Sequence, residues 1–201
     1  MLFDLFEVRY ASTMPETVNI WSGKLVRLRS PEPSDAEAFH ADIDDSEGQR
    51  SGYEITFPRS LERSRKFASD EAMSDGPAPM EYRFAIESLE EGSLVGTINT
   101  NGVDQRNGHF EYGISIFHDY RKRGYASDAI LLVLRYYFQE LRFQKVNATV
   151  YGFNRPSLAL HRRLGFVEEG CIRQNLFTDG RFHDEYLFGM TAQEFRTRYG
   201  E

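Results

Sequence analysis

The pattern of apolar residues changes at Gly124. Residues 109–117 have the character of a strand, whereas the apolar side chains after Gly124 recur at the spacing of one helical face. That face carries Ala126, Ala129, Ile130, Val133, Leu134, Tyr137 and Phe138. A strand that leads through a short loop into a long amphipathic helix predicts a helix packed on a sheet.

Further strands are predicted on both sides of this helix. They cover residues 24–29, 82–88, 93–101 and 109–117 before it, and residues 145–151, 166–177 and 181–190 after it. Helices are predicted from Ser34 or Asp35, over residues 61–73, and from Asn154 to Gly165. A strand, a helix and a strand in succession pair their strands in parallel, so strand 109–117 should lie beside strand 145–151. The fold class is therefore α+β, with a mixed, mostly antiparallel central sheet flanked by helices.

Size and composition limit the domain organisation. The chain has 201 residues, of which 40% are hydrophobic, and this suits one domain with one core. Residues 1–22 lack clear periodicity and are predicted to be an extension, with the folded domain spanning residues 23–201. No apolar stretch approaches the length of a membrane span, and the single Cys171 suits a reducing compartment. We expect a cytoplasmic protein without a membrane partner.

Charge and metal-ligand spacing exclude two classes of function. The net charge is −7 and the pI is about 5.3, which argues against a general nucleic-acid binder. The 5 histidines are scattered, and none stands near Cys171 at the spacing of a metal site. We therefore predict no nucleic-acid partner and no bound metal.

The loop before the long helix is a candidate anion site. Free N–H groups collect at the start of a helix, where the helix dipole is positive, and a glycine lets the backbone approach a phosphate. The residues concerned are Arg121, Lys122, Arg123, Gly124, Tyr125, Ala126 and Ser127. A pyrophosphate is the natural ligand for such a loop, although basic residues in a solvated loop would look the same in sequence.

Several short motifs resemble those of the GNAT N-acetyltransferase superfamily. The pattern Arg-x-x-Gly-x-Ala at residues 121–126 is similar to the family's CoA pyrophosphate loop, and Asn-x-x-Ser at 154–157 and Leu-Gly-Phe at 164–166 follow at its spacing. The ending resembles the branch of ribosomal-protein N-terminal and spermidine acetyltransferases through Gly170, Arg173, Asp179, Gly180, Arg181, Asp184 and Tyr186. The resemblance covers residues 109–190. It implies the acyl-CoA N-acyltransferase fold and acetyl-CoA as the co-substrate.

The resemblance also implies how acetyl-CoA is held. The two parallel strands would splay apart, and the pantetheine arm would bind like an added strand along main-chain groups of Ile114, Ser115, Ile116 and Phe117. An N–H of that strand would polarise the thioester carbonyl. Asn154 would cap its helix and touch the CoA arm, and Ser157 would lie near the thiol.

Two residues are candidates for proton transfer. Glu111, at the start of the strand that forms the acyl slot, would bind or deprotonate the incoming ammonium, or is a solvated strand carboxylate. His161 stands seven residues after Asn154, where the spermidine branch usually has a Tyr that acts as the general acid. An imidazole can donate a proton near neutral pH, but a histidine on a helix can also be structural.

These expectations define an enzyme that transfers an acetyl group directly to a primary amine in a ternary complex. The acceptor would be a protein N-terminus or a small amine such as a polyamine or aminoglycoside. The replacement of the usual Tyr by His161 leaves open a module that binds CoA without turnover. A homodimer is a further expectation.

Overall fold

The computed structural model describes residues 19–200. Its centre is a seven-stranded sheet in the order β1-β2-β3-β4-β5-β7-β6. The strands are β1 (Val26–Arg29), β2 (Arg83–Ser88), β3 (Leu94–Asp104), β4 (His109–Ile116), β5 (Lys145–Tyr151), β6 (Val167–Thr178) and β7 (Arg181–Thr191). The helices are α1 (Ala36–Asp42), α2 (Ser46–Ser51), α3 (Leu61–Ala72), α4 (Tyr125–Arg135), α5 (Arg155–Leu164) and α6 (Ala192–Tyr199). The predicted fold class is confirmed.

Helix α4 packs its apolar face on the sheet and organises the core. Ala129, Ile130, Val133 and Leu134 are each no more than 1% exposed. One turn of π-helix, Tyr136–Glu140, continues α4 and keeps Tyr137 and Phe138 buried. Tyr137 stacks on Phe110 of β4 with ring centroids 4.0 Å apart, so the predicted apolar stripe still contacts the sheet beyond the end of α4.

Strands β4 and β5 are the parallel pair of the sheet, and they separate after three residues. Their register joins His109–Glu111 to Lys145–Asn147 and goes no further. Beyond that point β4 stays paired with β3, while β5 stays paired with β7 along its full length. The predicted splay is confirmed, and it leaves a gap between the second half of β4 and the second half of β5.

The sequence patterns missed several features of the fold. Strand β7 lies between β5 and β6. The second strand of the final hairpin therefore pairs with β5, and the first strand, β6, forms the edge of the sheet. Helix α6 was not predicted, although Thr191 and Glu194 form a capping box at its start. Asp35 does not cap α1 with its side chain, because its carboxylate binds Arg29 at 2.8 Å.

The folded unit begins before the predicted boundary at residue 23. Trp21 packs against Phe84 and Tyr136, with ring centroids 4.9 and 4.5 Å apart. Residues 19–22 therefore belong to the domain, and residues 1–18 of the predicted extension lie outside the described residues. Within residues 19–200 no helix is long and apolar enough to cross a membrane.

Candidate active site

The start of α4 leaves its first N–H groups without a side-chain cap. Gly124 occupies the N-cap position with φ of 91°, and no side chain of residues 19–200 caps the first turn. The first four N–H groups of a helix have no partner within it, and they lie at the positive end of the helix dipole. Lys122 also has a positive φ of 66°, which turns the loop sharply toward the helix. This is the geometry of an anion site.

The two arginines of the loop have partners in the protein. Arg121 donates from Nε to the carbonyl oxygen of Ile116 at 3.0 Å and from Nη2 to Asp45. Arg123 donates to Glu91 at 2.8 Å and lies 5.4 Å over the ring of Tyr120. These contacts hold both guanidinium groups beside the start of α4. Lys122 is exposed and makes no ion pair within residues 19–200.

The first turn of α4 adds contacts from its side chains. Tyr125 is 5% exposed, and its hydroxyl lies 3.3 Å from the Ser88 hydroxyl. Ser127 Oγ accepts a hydrogen bond from Arg163 of α5 at 3.4 Å. Ala126, between Tyr125 and Ser127, is partly exposed. Tyr125 and Ser127 therefore tie the first turn of α4 to β2 and to α5.

The hydrogen-bond alternation of β4 decides which of its main-chain groups face the gap. The Phe117 N–H donates to the Val95 carbonyl oxygen at 3.0 Å, so residues 117, 115, 113 and 111 turn their main-chain groups toward β3. Those of Ile114 and Ile116 point toward the gap. The expected slot is thereby corrected, because Ser115 and Phe117 use their main-chain groups within the sheet. The Ile116 carbonyl also accepts from Arg121.

Glu111 lies at the last paired position before the gap. It stands opposite Asn101 of β3 and Asn147 of β5. Its side chain is on the same sheet face as that of Phe117, which packs against Phe39 of α1 with ring centroids 6.5 Å apart. No hydrogen bond or ion pair to its carboxylate occurs within residues 19–200, so this carboxylate is available to a cation.

His161 is part of the core and does not face the gap. It is 3% exposed, and its Nδ1 lies 2.8 Å from the Ser157 carbonyl oxygen, which can only accept. Nδ1 therefore carries the proton, and Nε2 accepts from the Tyr112 hydroxyl at 2.8 Å. Burial lowers the pKa of His161 and raises that of Tyr112, so both stay neutral at neutral pH. With both ring nitrogens occupied, the geometry does not support the predicted role of His161 as an acid.

Asn154 and Ser157 lie at the start of α5, across the gap from α4. The Asn154 side chain accepts from the Ser157 N–H at 3.1 Å, so its role as the helix cap is confirmed. The Ser157 hydroxyl lies 3.4 Å from Nδ1 of His161. These contacts fix the first turn of α5 beside the gap.

Two contacts between distant parts of the chain at this site were not predicted from the sequence. Asp128 of α4 accepts from the N–H groups of Leu25 and Val26 at 2.7 and 3.0 Å, which ties α4 to β1. Asp45, the cap of α2, binds Arg121 and so ties the loop that precedes α4 to α2. Neither pair could be recognised in the sequence, because 102 to 103 residues separate Asp128 from its partners and 76 separate Asp45 from Arg121. Within residues 19–200 no group of histidine, cysteine and carboxylate side chains could hold a metal ion.

The arrangement joins an uncapped helix start, a gap in the sheet and a free carboxylate. Such a site can hold an anionic ligand at the helix, an extended chain along Ile114 and Ile116, and a cation near Glu111. These are the three parts that the transfer of an acyl group from a nucleotide-bearing carrier to an amine requires.

Comparisons with known proteins place the chain in a family. Residues 26–167 match the acetyltransferase (GNAT) domain family. The chain is 41% identical to the SPbeta prophage-derived uncharacterized N-acetyltransferase YokL of Bacillus subtilis (strain 168) over 91% of this chain and 99% of that protein. It is 26% identical to the [Ribosomal protein uS5]-alanine N-acetyltransferase of Escherichia coli (strain K12) over 57% of this chain and 59% of that protein.

A solved structure shows the same fold. Spermidine N-acetyltransferase from Vibrio cholerae, in complex with CoA and spermine, superposes with a TM-score of 0.72 at 22% identity, covering 85% of this chain and 97% of that chain. The likeness at this identity is one of fold alone. Taken with the family match, the sheet and the site identify the chain as a member of the GNAT family, an acyltransferase whose co-substrate is acetyl-CoA.

Proposed function

We propose that the chain transfers the acetyl group of acetyl-CoA directly to a primary amine while both are bound. The observation that carries this proposal is the position of the uncapped start of α4 beside the gap between β4 and β5. An anion held at the helix start and a chain lying in the gap would belong to one ligand. Glu111 lies where the pairing of β4 with β5 stops and the gap begins.

The residues present fit acetyl-CoA. The N–H groups of Gly124, Tyr125, Ala126 and Ser127 would receive the pyrophosphate, with Lys122 adding charge. Main-chain groups of Ile114 and Ile116 would bind the pantetheine arm, and Asn154 and Ser157 would line the other side of the gap. When bound, acetyl-CoA supplies the acetyl group as an activated thioester.

Glu111 would handle the proton of the acceptor. An alkylamine has a pKa of about 10, so it arrives as an ammonium that a carboxylate binds and, directly or through water, deprotonates. The amine nitrogen forms a bond to the thioester carbon and the C–S bond breaks. Of the two protons that the ammonium loses, one leaves through Glu111 and one ends on the departing sulfur. A thiol has a pKa of about 8.5, so water can deliver that proton without His161.

Protein N-termini are the first acceptor class that we propose, and small amines such as polyamines are the second. The ribosomal-protein relative supports the first, and the spermidine acetyltransferase fold supports the second. The enzyme is favoured over a module that binds CoA without turnover, because the relatives named above are N-acetyltransferases.

The test is thiol release from acetyl-CoA in the presence of peptides and small amines. We expect turnover with at least one class, and a loss of kcat/KM of about 100-fold in Glu111→Gln, the low end of general base catalysis. Asp70→Asn, at an exposed ion pair on α3, is the control. Tight acetyl-CoA binding without thiol release for any acceptor would contradict the proposal.

A further inference from the structure

A cavity of about 210 Å³ lies between β2, β3, the end of α3 and the segment that follows it. Its lining includes Glu71, Ser74, Pro77, Arg83, Asn99 and Asn101. Asn99 stands opposite Gly113, and Asn101 stands opposite Glu111. Since side chains of directly opposed residues share a face, both asparagines lie on the Glu111 side of the sheet.

The asparagine side chains extend toward the point where the gap opens. Asn99 Oδ1 lies 3.0 Å from where a Cβ on Gly113 would stand, so its carboxamide covers this part of β4. Asn99 Nδ2 donates to Asn101 Oδ1 at 3.5 Å, a long and weak hydrogen bond. The two carboxamides therefore retain donors and acceptors for a ligand.

Glu111 lies between the cavity and the gap. Its Cγ is 3.4 Å from where a Cβ on Gly102 would stand, so the side chain lies against β3 at the residue that follows Asn101. An amine at Glu111 would point the rest of its molecule into the cavity. The polar groups of the lining would then select which chemical group is attached next to the reacting amine.

The charges of the lining are already paired. Arg83 Nε lies 3.1 Å from Glu71 Oε2, and the guanidinium is 5.8 Å over the ring of Phe67. Glu71 and Arg83 therefore neutralise each other, and neither Glu71 nor the two asparagines offer an unpaired carboxylate to a second ammonium. Neutral carboxamides, which both donate and accept, match the C=O and N–H of a peptide group.

We propose that this cavity is an acceptor subsite for a neutral amide group attached next to the reacting amine, and that Asn99 and Asn101 determine this specificity. The proposal rests on the proposed function, and it assigns the acceptor to the peptide class. A site built to hydrogen-bond a substrate group discriminates strongly against analogues that lack it, because its own polar groups are then left unpaired. Polyamines, whose next polar group is a second ammonium, are disfavoured.

The experiment compares three acceptors on the full chain at saturating acetyl-CoA, with thiol release as the readout. They are alanyl-alanine amide, butylamine and 1,4-diaminobutane. Because a peptide amine and an alkylamine differ in pKa, the criterion is the change in the ratio of their kcat/KM values between variants. We expect Asn99→Ala to lower the ratio of dipeptide amide to butylamine about tenfold, as the loss of a hydrogen bond to substrate predicts.

Diaminobutane tests the second half of the proposal. In the unmodified chain the kcat/KM of diaminobutane should exceed that of butylamine by no more than a factor of about two, because diaminobutane has two amines. Asn101→Asp should raise the kcat/KM of diaminobutane severalfold relative to that of butylamine. Asn175→Ala, on the β6–β7 hairpin, is the matched control and should leave every ratio unchanged. Acetyl-CoA affinity of each variant, measured by calorimetry, confirms that it folds.

The outcomes separate the two proposals. Butylamine turnover with a ratio unaffected by Asn99→Ala, or with diaminobutane preferred in the unmodified chain, overturns the subsite and leaves the acetyltransfer intact. Absence of thiol release from all three amines, if wider amine panels also fail, overturns the proposed function and the subsite with it.

Discussion

Helices α4 and α5 each follow one of the two splayed strands, yet they begin in opposite ways. At α5, Asn154 accepts the Ser157 N–H, so the helix satisfies a free donor with its own side chain. At α4, Gly124 has no side chain to offer, and the first turn has no side-chain cap. Both starts border the same gap. The difference teaches that the sequence at a helix start decides whether its N–H groups are occupied by a side chain or remain available to a ligand.

Placing a carboxylate at each helix start gives the largest expected contrast. Gly124→Asp should weaken acetyl-CoA binding by about 100-fold, because a negative charge at the anion site repels the pyrophosphate and the new side chain meets Leu25. Calorimetry measures the affinity. Gly180→Asp is the matched control, since Gly180 also has a positive φ, 72°, with open space around it.

Asn154→Asp brings the same charge to α5 while keeping an acceptor for the cap. We expect a loss of acetyl-CoA affinity below about tenfold, because α5 does not hold the pyrophosphate. Equal losses in Gly124→Asp and Asn154→Asp would show that the two helix starts share the anion and would break the comparison.

Removing the cap of α5 should act on stability. Asn154→Ala is expected to lower the free energy of unfolding by about 1 kcal/mol, the usual cost of losing an N-cap side chain. Urea unfolding followed by circular dichroism measures this change. Asn175→Ala serves as the reference, and an unchanged unfolding midpoint in Asn154→Ala would show that the cap contributes nothing.

Lys122, which has no ion pair among the described residues, gives a smaller effect. Lys122→Ala should weaken acetyl-CoA binding about threefold at low salt and less at high salt, because exposed charges are screened. Lys66→Ala, on an exposed face of α3, is the control. A salt-independent loss would contradict an electrostatic role.

The smallest expected effect is a pH dependence carried by α5. Burial lowers the pKa of His161 in the folded state, so below pH 6.5 the unfolded chain binds more protons than the folded chain. This contribution to stability is present above the unfolded pKa of about 6.5 and falls as the pH drops through the folded value. Unfolding curves between pH 7.5 and about 5 should show this slope.

His161→Phe should reduce that slope while leaving the ionisations seen in kcat/KM unchanged. His118→Phe, at an exposed position, is the control for histidine titration in general. Loss of an ionisation from the rate profile in His161→Phe alone would restore His161 as an acid.

Local patterns predicted the elements around the site, and long-range contacts account for what they missed. The stripe from Ala126 to Phe138 and the helix between Asn154 and Gly165 are properties of neighbouring residues, so their periodicity is visible in the sequence. The environment of His161 depends on Tyr112, 49 residues earlier, and Arg123 is held by Glu91, 32 residues earlier. A side chain's partner in the fold cannot be obtained from spacing alone.

The bond between Asp128 and the start of β1 has a practical consequence for experiments on this protein. Because Asp128 lies one turn into α4 and accepts from Leu25 and Val26, the edge strand β1 and the first turns of α4 are joined by hydrogen bonds. Gly23 allows this approach, since a Cβ there would lie 2.4 Å from Asp128 Oδ2. A label, tether or truncation placed at Gly23 would therefore disturb the start of α4, whereas the β6–β7 turn lies at the opposite end of the sheet order.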